Sequence, residues 1–362
     1  MAFVLVTNDI TPYYRDAIAL LALRHGMLYR FRYDRSLIGD IDVAKMNGAD
    51  GLVLLRQRTT AKLAPIRRIR INRVTSSAYF SFLEFLVTDF PDLTKTSDFG
   101  VLIATLSRDA AENHVGGIMR PLVYSAPDEL IQGICGSPID AASEVSISLD
   151  RWRAVIDNLA HFEHMSSTCF LNLYSIEEDG TEVSRRRMRD GMLIAYPHAN
   201  YDLGIASYAF PPAPGTDADD AISEFTLVAK VDGARVSAVR DVATVVSRYD
   251  LHRLTVRAQS GIEGVGATVT IQPTNVPKQI STTPPITIPL VGHFAGWQWF
   301  SLIVGTGLYV AFFFVPKVWA GVLQAIGIII VAAFGKDSAA ALIRLLWNSV
   351  PLRHVRNALE HL

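Results

Sequence analysis

The chain has 362 residues, 50 % of them hydrophobic, a mean hydropathy of +0.24 and a formal net charge of −1. This near-neutral balance excludes a protein whose whole surface is built for long DNA or RNA. The two cysteines, Cys135 and Cys169, are too few for a disulfide framework and fit a reducing compartment.

The start, MAFVLVTNDI, has no basic leader and its apolar run stops at Asn8-Asp9, so the N-terminal bulk is expected in the cytosol. FVLVTND predicts a strand. TPYYRDAIALLALRHG predicts a helix with Thr11 as N-cap, Pro12 at its first turn and Gly26 as its stop. LYRFRYDR predicts a strand with Tyr29, Phe31 and Tyr33 on one face and Arg30 and Arg32 on the other. Three more strands follow. DGLVLLRQR puts Arg56 and Arg58 on one face. PIRRIRINRV puts Ile69 and Ile71 on one face and Arg68 and Arg70 on the other. AYFSFLEFLV is apolar on both sides and should be covered. Residues 1–95 therefore read as a small, mostly antiparallel, arginine-rich β-domain with one helix.

Residues 96–165 read as a helical connector, with helices over APDELIQGI and SLDRWRAVIDNLAHF, the second capped by Ser148 or Asp150. Short strand runs from STCFLNLYSIEEDG to GATVTIQPT, with turn signals at Asp179-Gly180 and Asp232-Gly233, predict a second β-sandwich or barrel over 166–276. FPPAPGTDADD is expected to be a loop, and NVPKQISTTPPITIP places an extended linker at 277–296.

WQWFSLIVGTGLYVAFFFVP and VWAGVLQAIGIIIVAAFG carry no charge and are separated by Lys317. At 1.5 Å per residue each spans roughly 30 Å, which predicts a transmembrane hairpin over 297–335 with Trp297, Trp299 and Trp319 as interfacial aromatics. Gly321 and Ala325 are a small-xxx-small pair and Gln324 is an amide inside the second span, a pattern that suits self-association. Lys336, Arg344, Arg353 and Arg356 follow the hairpin, whose tip has only Lys317, so both termini are expected on the cytoplasmic side of the inner membrane. Residues 336–362 form a basic amphipathic tail suited to anionic lipid.

From Gly51 to Leu83 the chain carries Arg56, Arg58, Lys62, Arg67, Arg68, Arg70 and Arg73 and no acid. Like charges on neighbouring strands repel, so this face needs covering acids, water or a bound anion. Arginine's fork suits phosphate, and Tyr29, Phe31, Tyr79 and Phe80 offer stacking surfaces. A solvated sheet face is the plain alternative. RRRMRD (185–190) is a second basic run, expected in a solvated or membrane-facing loop. Thr11, Tyr13, Tyr14 and Asp16 form a polar cluster at a helix start, open to an anion or to capping alone.

Catalytic signatures are missing: GxSxG, P-loop, GxGxxG and HExxH do not occur. His161, Glu163 and His164, with Cys169 beyond, offer too few placeable ligands for a structural zinc, so no metal or cofactor is expected. Three readings remain: a sensor-effector binding a phosphorylated small ligand, a scaffold anchoring a partner at the membrane, and a membrane-tethered enzyme, which the missing motifs disfavour.

The paired spans at 297–335 and the strands LYRFRY, VLLRQR and RRIRINR resemble, in organisation, the two-transmembrane β-barrel effectors of bacterial cyclic-nucleotide antiphage immunity. The resemblance implies a β-domain that binds a cyclic oligonucleotide and transmembrane helices that oligomerise to damage the inner membrane. It makes Arg30, Arg32, Arg56, Arg58, Arg68, Arg70, Tyr29 and Tyr79 the candidate ligand contacts. The chain departs from that pattern in having two β-rich domains and C-terminal spans.

Overall fold

A computed structural model describes residues 2–8, 13–35, 38, 41–57, 62–94, 100–102, 104, 106, 123–135, 144–160, 162, 165, 168–183, 187–189, 191–196, 198–209, 224–233, 236–259, 267–277 and 280–292. The hairpin expected at 297–335 and the tail at 336–362 lie outside these residues. Among the described residues no helix is long and apolar enough to cross a membrane.

Among the described residues the chain is mostly β, in three sheets. The first sheet contains β1 (Ala2–Asn8), β2 (Leu28–Asp34), β3 (Asp50–Arg56), β4 (Leu63–Ser76), β5 (Phe80–Val87) and β6 (Val123–Ala126), in the order β2-β5-β4-β3-β1-β6. β1 and β3 pair in parallel, and the other pairs described in this sheet are antiparallel. β1 and β3 are buried almost throughout, as strands covered on both sides must be. Helix α1 (Tyr13–Ala22) lies against β1, β3 and β4 and buries Ala17, Ile18, Leu20 and Leu21, one stripe at helical spacing. Gly26 ends this passage at φ +85°, and its N–H bonds to the Val87 carbonyl at 2.8 Å. A one-turn helix, α2 (Val43–Met46), is capped by the Asp42 carboxylate and precedes β3.

Residues 96–165 do more than connect. β6 comes from this stretch and completes the first sheet beside β1. Helix α3 (Asp128–Cys135) touches β3, and helix α4 (Glu144–Leu159) packs on β4. The α4 helix begins at Glu144, so Ser148 and Asp150, expected as caps, lie inside it. Its buried stripe of Trp152, Val155, Ile156 and Leu159 contributes roughly 1.5–3 kcal/mol per large side chain.

The remaining strands form two sheets that touch where β12 meets β13 and β14 meets β15 and whose buried residues belong to one hydrophobic cluster, as in a sandwich. One sheet holds β7 (Thr168–Glu178), β11 (Asn200–Ala209), β13 (Val236–Arg240), β15 (Tyr249–Ala258) and β17 (Ser281–Thr282), in the order β13-β15-β11-β7-β17, with β8 (Thr181–Glu182) paired to β7. The other holds β9 (Met188–Arg189), β10 (Met192–Ala195), β12 (Phe225–Asp232), β14 (Val242–Val245), β16 (Ala267–Thr274) and β18 (Ile286–Gly292), in the order β14-β12-β16-β18-β10-β9. Asp179 and Gly180, both at positive φ, make the tight β7–β8 turn that the sequence predicts. Asp232-Gly233 instead carries the chain from one sheet to the other, because β12 and β13 belong to different sheets. The stretch expected as a linker also departs from its reading: β18 sits inside its sheet, antiparallel to β16 and parallel to β10. Pro284, Pro285 and Pro289 hide this strand from a sequence reading, since proline cannot donate to a ladder.

The sandwich docks on the first sheet through β7, which is buried on both sides and touches α1 and α4. Asn172 Nδ2 donates to the Leu21 carbonyl at 2.9 Å, tying β7 to the last turn of α1. Gly191, at φ +77°, lies against β2; a Cβ there would come within 2.3 Å of the Leu28 Cβ and 2.7 Å of the Leu28 backbone nitrogen. Gly191→Ala is therefore expected to cost at least about 3 kcal/mol, from strain and overlap together. Gly180→Ala, with a similar φ and open space around it, should cost only about 1–2 kcal/mol. Denaturant midpoints of the two variants check the difference.

Candidate functional site

Strand alternation sorts the arginines of the first sheet into two sets. On β2, Phe31 and Tyr33 are buried while Arg30 and Arg32 are exposed. On β4, Ile69 and Ile71 point to the core while Arg70 is exposed and Arg68 half-buried. A bulge at Asn72 restores the phase, so Arg73 also faces out, opposite Glu84. Arg30, Arg32, Arg70 and Arg73 thus share the open face of β2, β5 and β4. Arg30 stacks on Phe82 at 4.2 Å and Arg32 on Phe80 at 5.0 Å. Stacking uses the flat face of a guanidinium and leaves its N–H edge for an acceptor. Arg68 differs, since its Nη2 donates to Asp50 Oδ2 at 2.7 Å. Asp34 and Glu84 are the other carboxylates on this side, and Glu84 accepts from Asn72 Nδ2 at 3.1 Å.

Arg56 and Tyr29, also expected as contacts, do not join this face. Arg56 lies at the far end of β3 and is only 6 % exposed. Tyr29 turns inward against Phe31 and Phe85, and its hydroxyl donates to Asp16 Oδ1 at 2.8 Å. Burial raises the pKa of both, Asp16 against the lowering effects of Tyr29 and Arg32. A carboxylate therefore occupies the helix start where an anion was one of the two expectations. Tyr79 is 76 % exposed at the β4–β5 turn, beside Phe80. Arg58, Thr11, His161, Glu163 and His164, and Trp297, Trp299, Trp319, Gly321, Gln324 and Ala325, lie outside the described residues.

Arg67 belongs to the second set. It shares the isoleucine side of β4, is 1 % exposed, and stacks on Phe90 at 3.5 Å. Its Nε and Nη1 meet no hydrogen-bond partner. Burial pulls its pKa down to about 9, opposed by the nearby Asp89; a guanidinium remains charged at neutral pH all the same. Around it lie Arg24, His25, Asp89, Asn172 and Glu182, enclosing a cavity of about 20 Å³ where the first sheet meets the sandwich. That volume admits a water or a small ion and no nucleotide. The period of PIRRIRINRV carried the signal for Arg67: with Ile69 and Ile71 inward, the residue two before Ile69 points inward too.

Two further polar groups are structural. In the basic run 185–190, Arg187 is not solvated: it pairs with Glu178 and donates to Tyr201 Oη at 2.9 Å and the Ile194 carbonyl at 2.7 Å. Ser207 Oγ and His252 Nε2 are 3.1 Å apart, but Ser207 is fully buried and offers no approach to a substrate. Cys169 is likewise core, its thiol pushed up to about 12 by burial. No group of metal-ligating side chains forms among the described residues.

No protein-family model matches the chain, and no curated protein matches it.

The two arginine sets separate by mutation. Arg56→Glu, which buries a carboxylate, is expected to cost about 3 kcal/mol or more, whereas Arg30→Glu on the open face should cost less than about 1 kcal/mol; urea unfolding measures both. His252, whose pKa burial lowers below 6.5, binds fewer protons folded than unfolded. Its contribution is present above the unfolded pKa near 6.5 and is lost as pH falls through the folded value. Stability should therefore drop on acidification below pH 6.5, and His252→Gln should flatten that part of the pH profile.

Proposed function

We propose that the chain is a membrane-anchored effector. Its arginine face binds a phosphate-bearing small ligand of the cyclic-nucleotide class, and ligand occupancy governs association of the C-terminal helices in the inner membrane. The observation that supports this most is the convergence of Arg30, Arg32, Arg70 and Arg73 on one open sheet face beside Phe80 and Phe82. Guanidinium edges suit phosphate oxygens, and the aromatic rings suit a base. The uncharged runs at 297–316 and 318–335 supply the membrane part of the reading.

A second reading, a scaffold that rests on the anionic leaflet, is favoured by Tyr79. An exposed aromatic next to Phe80, on which Arg32 stacks, is the chemistry of a membrane interface. Calorimetric titration of the full chain in nanodiscs with cyclic di- and trinucleotides separates the two. The effector reading expects saturable binding that weakens at least about tenfold in Arg30→Glu/Arg70→Glu, the loss of two charge-assisted contacts. No binding across the panel, or unchanged binding in the double variant, overturns it. Binding to anionic vesicles alone moves the function to the scaffold.

A further inference from the structure

The geometry points to a second, buried binding site that takes a small inorganic anion, of halide to nitrate size, between the first sheet and the sandwich. The cavity at Arg67 is the place. Its walls come from both sides of the junction: Arg24 and His25 follow α1, Arg67 is on β4, Asp89 follows β5, and Asn172 and Glu182 belong to β7 and β8.

The polar ledger of these walls is one-sided. Arg24 Nη2 is satisfied by Glu182 Oε1 at 2.9 Å and the Val183 carbonyl at 3.0 Å. Asp89 Oδ1 is 3.1 Å from His25 Nδ1. Asn172 Nδ2 is taken by the Leu21 carbonyl. What remains without a partner is Arg24 Nη1, Arg67 Nε and Arg67 Nη1, all buried and all donors. A group that only accepts hydrogen bonds and carries negative charge satisfies such a set.

Charge agrees with this. Arg67 is 1 % exposed and stacked on Phe90, so solvent does not screen it; the buried Asp89 carboxylate lies near it but is shared with His25, and Glu182, the carboxylate facing Arg24, is 39 % exposed. Leaving a buried guanidinium with two idle nitrogens is costly, and an anion would offset that cost. The small cavity sets the size limit. The site is therefore distinct from the open arginine face, both in position and in the ligand it can admit. An anion held by Arg24 and Arg67 would join the segment after α1 to β4, and Arg24 in turn donates to Glu182 and the Val183 carbonyl, so occupancy would brace the docking of β7 and β8 on the first sheet.

The test is thermal unfolding of the full chain in detergent at constant ionic strength, replacing sodium gluconate stepwise with sodium chloride, bromide or nitrate. The expected result is a saturable rise of about 2–4 °C in the midpoint with the small anions. Arg67→Met should abolish the rise, and Arg30→Glu/Arg70→Glu should keep it. Absence of a saturable, anion-specific rise in the natural chain overturns the proposal, as does a rise that persists in Arg67→Met. Should Arg67→Met fail to fold, excess ³⁵Cl NMR line broadening on the natural chain, displaced by bromide, decides instead. Broadening above that of the same chloride buffer without protein, displaced by bromide and kept in Arg30→Glu/Arg70→Glu, supports the site; its absence overturns it.

Discussion

One strand carries arginines to both sides of the first sheet. β4 runs from Leu63 to Ser76, and its alternation leaves no choice about where each guanidinium goes: Arg70 must face outward if Ile69 and Ile71 fill the core, and Arg67 must then face inward. A one-residue slip would exchange the two sets and bury Arg68 and Arg70 among the apolar groups of α1. Much else follows from this register. The bulge at Asn72 keeps Arg73 on the open side, the Arg68–Asp50 pair holds β4 to β3, and the inward Arg67 requires polar company that the docking sandwich helps to provide.

That docking is what makes two β-rich parts one structure. β7 gives one side to the sandwich core and the other to α1 and α4, so its residues are buried from Thr168 through Leu173. α4 packs on β4 as well as on β7, and β6 closes the first sheet from within the same stretch of chain. Residues 96–165 thus hold elements that both parts need, and the boundary near residue 95 drawn from composition does not coincide with a boundary in packing.

The elements that the sequence discloses are those with clean periodicity. β2 and β4 announce themselves by alternation, α1 by its Ala-Ile-Leu stripe, and the β7–β8 hairpin by Asp179-Gly180; β5 reads as a strand apolar on both sides and expected to be covered, whereas Phe80, Phe82 and Glu84 lie on its open side. Short strands joined by turns correctly foretell a mostly β chain. What stays hidden has a local reason in each case. β18 is masked by prolines that its ladder tolerates, β6 is four residues of ordinary composition, and α4 starts at Glu144 ahead of the polar residues that look like caps. Of the candidate contacts, Arg30, Arg32 and Arg70 meet on one face because strand order brings β2, β5 and β4 together. Arg56 does not, because pairing places it at the covered end of β3, and pairing order is invisible in a single strand. The buried cluster needed residues separated by more than a hundred positions, Arg24 and Asn172 among them, which no local pattern can join.

The position of β18 has a mechanical consequence. The chain beyond Gly292 hangs from an interior strand, flanked by β16 on one side and β10 on the other. A pull along that strand from its C-terminal end loads the paired registers from Ile271–Ile286 to Ala267–Leu290 together, in shear, instead of peeling them one at a time as it would at an edge. The attachment is therefore stiff. Torque or tension arising beyond residue 292 would pass into the body of the sandwich before the strand gave way, and displacement of the sandwich would be felt at residue 292 with little slack.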